Sequence, residues 1–304
     1  MYYIHNEEQK RQYENIMEEL KDQQYRLRWS EKRCKIGIKE SIKQSLRKRF
    51  GEVSGKTVLE KMPARKREKA DYFSNEKIAV YTCITGSYDT LREPVFVPDN
   101  CDFWAITDQE VPNDSYWKKI DISEVRQIAD MKDPVLMNRY IKMNPYEIFS
   151  EYRYSIYLDA NFRIITDITE EINRISKQGI AFFDHGVRKG VYEEIEECIR
   201  LGKADEKELR AAEEFLKKNN MPKGYGLLLG GIIARDHQNK VGKQISEEWW
   251  ELYRKFPLRD QILLPYVLYR RNILVKEIAT LGDNVKSAYG IERCRHIRSN
   301  GNEI

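Results

Sequence analysis

From Lys77 onward, short runs of strand-forming residues alternate with stretches of helical pattern, and this alternation restricts the fold more than any other feature of the chain. The runs are KIAVYTCIT (77–85), DFWAITD (102–108), WKKIDI (117–122), YRYSIYLD (152–159), GIAFFDH (179–185), GLLLGGIIAR (226–235) and NILVKEI (272–278). Between them the pattern predicts helices over 133–149, 168–177, 191–201, 206–218, 244–255 and 260–269. Such an order implies an α/β/α sandwich around a mixed, mostly parallel sheet. In sheets of this kind ligands bind beyond the carboxyl ends of the strands. The residues just past each run are therefore where chemistry is expected.

Residues 1–76 read differently, as a basic helical extension and linker ahead of a domain spanning 77–304. They hold 19 lysines and arginines against 13 acids, although the whole chain is only +4. Ten of those basic residues fall in 26–50, where Ile38, Ile42, Leu46 and Phe50 form one apolar stripe at helical spacing. The stripe suits a partner helix on the body of the protein, and equally a basic amphipathic helix lying on an anionic membrane surface. Confined to one segment, this charge does not describe a nucleic-acid-binding face. No window is apolar enough for a membrane span, and the opening MYYIHNEEQKRQYENIMEEL is too polar for a signal peptide. Five dispersed cysteines without a CxxC pair favour reduced thiols. A cytoplasmic protein, docked at most to the inner face of a membrane, is the expectation.

The run YRYSIYLD ends in a carboxylate and continues as AN. Asp159 and Asn161 are two apart, so on an extended backbone their side chains point the same way. Two oxygen ligands so placed suit a hard divalent cation, Mn²⁺ or Mg²⁺, bridging a diphosphate; a solvated turn after a strand has the same pattern. The first run leads into Thr82, Thr85, Gly86 and Tyr88, a set able to meet a nucleotide base and ribose, and the second ends at Asp108. Arg139 and Lys142 lie one helical turn apart and either counter diphosphate charge or sit solvated on a surface. His185 and Arg188 lie between a strand and a helix, where a histidine contacts ligand or caps the helix. Glu193 and Glu194 follow in the first helical turn, a position that favours acids in any case. Gly230 and Gly231 allow close backbone approach or mark a bulge. Trp249 and Trp250 read as packing more than as a sugar platform. Asp260 and Gln261 open a helix, as a cap or as groups that hold sugar hydroxyls.

Taken in order, VYTxITGxYD, FxxxTD, NRYxKxxPxxxF, SIYLDANF, a histidine with YEE downstream, WW and RDQ resemble one family over residues 77–270. It is the glycosyltransferase-like domain of plant cell-wall and mucilage proteins (the turgor-defect and mucilage-related group) and of bacterial polysaccharide gene clusters. The resemblance implies a GT-A-type fold, a nucleotide-sugar donor (UDP-linked by expectation) and a divalent metal. It places Asp159 and Asn161 on a DxD-like metal element, with Asn in place of the second acid. His185 with Glu193 and Glu194 falls on a His…Glu-Glu element, and Arg259, Asp260 and Gln261 on an RDQ element. The catalytic candidates are Asp260, His185 and Glu194. The donor-binding candidates are Thr82, Thr85, Gly86, Tyr88, Asp108, Arg139, Lys142 and Gln261. C-terminal histidines ligate metal in some GT-A enzymes, which makes His296 a third-ligand candidate. YRLRWSEKRCKIGIKES (25–41) also resembles the helical tails of bacterial surface-polysaccharide transferases.

The function expected is transfer of a sugar from a nucleotide sugar to a glycan or lipid-linked acceptor. Asp260 would take the acceptor's proton if configuration inverts, or orient the donor if it is retained. A catalytically inactive sugar-nucleotide-binding module of a polysaccharide assembly is the alternative. A nucleotidyltransferase ranks last, because ITGSYDTLREP has too few glycines and no lysine for a phosphate loop.

Overall fold

The computed structural model describes residues 76–256 and 259–283, together with 285, 290–294 and 296. Apart from Glu76, the expected helical extension and its basic stripe lie outside the described residues.

The alternation resolves into a six-stranded sheet of β1 (Ile78–Ile84), β2 (Cys101–Thr107), β3 (Lys118–Asp121), β4 (Tyr154–Leu158), β6 (Ile180–Asp184) and β7 (Leu228–Asp236). Their spatial order is β3-β2-β1-β4-β7-β6. Strands β1 to β4 pair in parallel, and β7 runs antiparallel to both its neighbours, β4 and β6. The expected α/β fold around a mixed, mostly parallel sheet is thus present. A second, small ladder joins β5 (Phe162–Ile164) to β8 (Ile291–Arg293).

β1 shows why the sheet forms here. All seven of its residues are buried, as the continuous apolar run IAVYTCI requires of a strand covered on both faces. Ala79, Tyr81 and Cys83 enter one hydrophobic layer, and Ile78 and Val80 enter the other. The first layer is packed by α1 (Pro134–Met143), α2 (Val191–Arg200), α3 (Glu206–Lys218), α4 (Lys240–Lys255), α5 (Asp260–Arg270) and α6 (Val275–Ile278). The second is covered by shorter pieces, including the 3₁₀ turn Thr169–Arg174 and the β5–β8 ladder. Side chains of Asp133, Asp205 and Asn239 accept from first-turn N–H groups of α1, α3 and α4, so these starts are encoded locally. The four described cysteines are free.

Three expectations change. The helix predicted over 133–149 stops at Met143, because Pro145 pushes Asn144 out of the helical region. The stretch 168–177 holds only a 3₁₀ turn. The apolar run 272–278 is not a strand: Asn272 turns with φ +56°, and Val275 and Ile278 bury one face of α6. A short apolar run does not by itself separate strand from helix.

One irregularity interrupts the sheet near the start of β7. Phe182 pairs with Ile233 but Phe183 pairs with Leu229, so β7 bulges across Gly230, Gly231 and Ile232. A methyl group on Gly231 would come within 2.6 Å of the Phe162 ring and 3.2 Å of Asp159 Oδ2. Gly231→Ala is therefore expected to lower unfolding free energy by about 1–3 kcal/mol through overpacking. An unchanged urea midpoint would show that the ring yields freely.

Candidate active site

The carboxyl ends of β1, β4 and β6 and the amino end of antiparallel β7 share one edge of the sheet, since Leu158 pairs with Ile232 and Asp184 with Leu228. At this edge opens a cleft of about 890 Å³, large enough for a nucleotide-sized ligand. Of the residues singled out in the sequence, Thr85, Gly86, Tyr88, Arg139, Lys142, Asp159, Asn161, His185, Glu194, Asp260, Gln261 and His296 all line it. Elements far apart in the chain are thus gathered in one place.

Two donor-binding candidates do not reach it. Thr82 is a buried residue of β1 and is absent from the cleft wall. Asp108 stands outside the lining and accepts from the Gly86 N–H at 2.8 Å, bracing the turn after β1. That turn places Gly86 at φ +62° against Pro134, while the Thr85 hydroxyl donates to the Pro134 carbonyl. Gly86 thus meets a backbone requirement and Asp108 acts through it. Glu193 also works on the backbone, accepting from the Lys189 N–H at 2.8 Å. Trp249 and Trp250 are buried packing residues, and the Trp249 indole donates to the Asp260 carbonyl.

At the centre of the cleft lies an ion cluster. Lys142, in the last turn of α1, has only 2% of its side chain exposed. Its ammonium sits 2.5 Å from Asp260 Oδ2 and 3.3 Å from Asp159 Oδ1. The ammonium also lies 5.3 Å from the centre of the Tyr157 ring, and the Tyr157 hydroxyl donates to Asp159 Oδ1 at 2.8 Å. Arg139 Nε is 3.8 Å from Asp260 Oδ2. Gly230 makes room for the pair, since a methyl group there would stand 3.3 Å from the ammonium and 3.4 Å from Asp260 Oδ2. Behind it, Arg235 is fully buried and donates to the Lys142 carbonyl at 2.7 Å and to the Tyr81 hydroxyl, holding the end of α1 against the sheet.

Asp260 is 5% exposed. Burial alone would push its carboxyl up, but the charges of Lys142, Arg139 and Arg259 override this and hold it well below the usual carboxylate range. A carboxylate so stabilised binds a proton weakly, which weighs against a general-base role for Asp260. It is also not the helix cap, which is Arg259. His185 is 8% exposed, and burial holds its imidazole below its ordinary value, hence neutral near pH 7. Its Nδ1 accepts from the Arg188 N–H at 3.1 Å. Glu194 is buried and accepts from Arg188 Nη1 at 2.6 Å, so it holds that guanidinium at the cleft wall. Nothing caps α2 through His185; its N-cap is Gly190.

The metal expectation meets a donor set that does not fit it. Asp159 has one oxygen occupied by Tyr157 and faced by an ammonium, Asp260 is paired with Lys142, and Asn161 is neutral. His296 is engaged by another acid of the cleft wall, its Nδ1 2.6 Å from buried Asp89 Oδ2. Among the described residues no three histidine, cysteine or acidic side chains converge as a metal site.

Sequence reasoning passed over Tyr157 and Asp89. Tyr157 had a signal, because it is two residues before Asp159 and shares its side of the strand. Asp89 had none as a partner of His296, 207 residues away.

The model of the TOD1/MUCI70 glycosyltransferase-like domain matches residues 3–281. The chain belongs to this family. The match extends beyond 77–270 into the N-terminal part, so the TOD1/MUCI70 assignment covers most of the chain. None of the curated proteins compared with it matches. Among solved structures, an apo form of the WbbM bifunctional glycosyltransferase is similar over 65% of this chain, with 15% identity and a TM-score of 0.41. The chain spans 38% of the length of WbbM. Mouse xyloside xylosyltransferase 1 in apo form is similar over 65% of this chain and 83% of its own, at 12% identity and TM-score 0.36. The galactosyltransferase LgtC, in complex with donor and acceptor sugar analogs, is similar over 62% of this chain and 69% of its own, at 10% identity and TM-score 0.36. No helix among the described residues is long and apolar enough to cross a membrane.

The depressed Asp260 carboxyl has a pH consequence. Its stabilising contribution is complete above its unfolded value, near 3.9, and is lost as pH falls toward the lower folded value. Below about pH 4 the parent protein should lose unfolding free energy more steeply than Asp260→Asn. Parallel pH–stability curves for the two proteins would refute the ionised, charge-held state of Asp260.

Proposed function

We propose that this chain is a glycosyltransferase that takes a sugar from a nucleoside-diphosphate donor, UDP-linked by preference, and passes it to a glycan or lipid-linked acceptor. The observation that carries the reading is the composition of the cleft wall. Six basic side chains line it (Arg139, Lys142, Arg188, Lys203, Arg259 and Arg293) beside polar groups on the strand ends. Basic side chains of this kind suit a diphosphate, and fixed charges in a partly dry site stabilise a leaving diphosphate without reorganising.

In this reading Tyr88, 57% exposed with its ring 5.4 Å from that of His296, offers a face to the nucleobase at one end of the cleft. Thr85 and Gly86 shape the turn beneath the ribose. Asp159 has 35% of its side chain exposed, and with Oδ1 engaged internally it presents Oδ2 to hydroxyl groups of the donor. Gln261, at the first turn of α5, donates to the sugar. Asp260 orients this set through Lys142 and Arg139 and takes no proton, which agrees better with retention of configuration than with inversion. Family membership supports the reaction class. Surface-polysaccharide synthesis in a bacterium, at the cytoplasmic side of a membrane, is proposed from the resemblance of residues 25–41 to the tails of such transferases.

The test is a donor panel against glycan and lipid-linked acceptors, read as product formation and donor hydrolysis. Asp159→Ala is expected to lower turnover by about a hundredfold or more with unchanged circular dichroism. Turnover close to the parent's in that variant would remove Asp159 from the reaction. Binding without transfer or hydrolysis across the panel would favour an inactive binding module.

A further inference from the structure

We propose that the Lys142 ammonium is a resident cation which takes, between Asp159 and Asp260, the electrostatic place of a divalent metal, so that diphosphate binding needs no added ion. The inference rests on the donor reading for its ligand and on the ion cluster for its argument.

The ammonium bridges two carboxylates, at 2.5 Å and 3.3 Å, from a position only 2% exposed. Lysine gives three N–H donors, and two carboxylates lie within reach of them here. With Arg139 and Arg259 acting on Asp260, three cations face two carboxylates, an excess of one positive charge at the wall that a diphosphate must approach. A divalent ion on Asp159 would sit against this ammonium, and at these distances the repulsion is severe. The bulge at Gly230 supports the same conclusion: the backbone of β7 leaves a space that the lysine and Asp260 fill. Lys142 is therefore a positioning residue. It holds Asp159 and Asp260 in place and acts on the donor through its charge.

The experiment has two arms on the 304-residue chain. In the first, Mn²⁺ alone is titrated and followed by electron paramagnetic resonance. The parent protein should leave sub-millimolar Mn²⁺ free, whereas Lys142→Met should bind it, because Asp159 and Asp260 then lose the cation between them. A purely structural lysine would not create that site. In the second arm, UDP, GDP, ADP and CDP are titrated by calorimetry after chelator treatment and again with Mn²⁺. The parent's best nucleotide should bind within about twofold in both conditions. In Lys142→Met its affinity should fall on the order of tenfold and recover with Mn²⁺. Mn²⁺ binding by the parent that Asp159→Asn removes would overturn the proposal. So would nucleotide binding that chelation abolishes and Mn²⁺ restores. These parent measurements decide the matter even if Lys142→Met does not fold. Should no nucleotide bind in any condition, the donor reading fails while the Mn²⁺ arm still decides the role of Lys142.

Discussion

A single buried ammonium holds the functional edge of this protein together. Lys142 reaches from the last turn of α1 to the tip of β4 and the first turn of α5, joining three elements through two carboxylates. In so dry a position an unpaired charge is severely destabilising, and removing one partner of such a cluster typically costs about 3–5 kcal/mol. The arrangement therefore allows few alternatives. Asp260 stays ionised because Lys142, Arg139 and Arg259 outweigh its burial, and Asp159 keeps its orientation because Tyr157 and Lys142 share one of its oxygens. Much of the surrounding structure accommodates this cluster: the bulge at Gly230 and Gly231, the indole of Trp249 on the Asp260 carbonyl, and Arg235 on the Lys142 carbonyl.

The same constraint redistributes the chemical roles. A carboxylate placed at a helix start beside a cleft suggests a base, but this one is held by an ammonium at 2.5 Å. A DxN element suggests a metal, but here one oxygen of its carboxylate is already faced by a lysine. Glu194 follows the same logic on the other wall, where it positions Arg188 and is itself withdrawn from solvent. In this cleft Asp260 and Glu194 each hold a cation. That arrangement suits a protein of a glycosyltransferase-like family whose proposed donor carries a diphosphate.

Much of this was legible in the chain, and the legible part has a common cause. Strand runs, helix starts at Asp133 and Asp205, and the gathering of residues past strand ends at one edge all follow from local pattern plus the geometry of a parallel sheet, whereas the helix expected from 244 begins at Lys240 behind the Asn239 cap. The ordered motifs sufficed to reach the family. The run 272–278 misled because a short apolar segment serves a strand or a helix equally, and only the packing of Val275 and Ile278 decided between them. Thr82 misled because one residue earlier in a strand points into the core instead of the cleft.

By itself, the order of residues determined the class of fold, the place where chemistry would lie and which side chains would stand near it, since periodicity and capping act over a few residues. Tertiary structure alone decided what those side chains do. Lys142 and Asp260 are 118 positions apart, and Asp89 and His296 are 207 apart. Whether a lysine meets solvent, a phosphate or two acids depends on which distant segments the sheet brings beside it, and no local pattern carries that information.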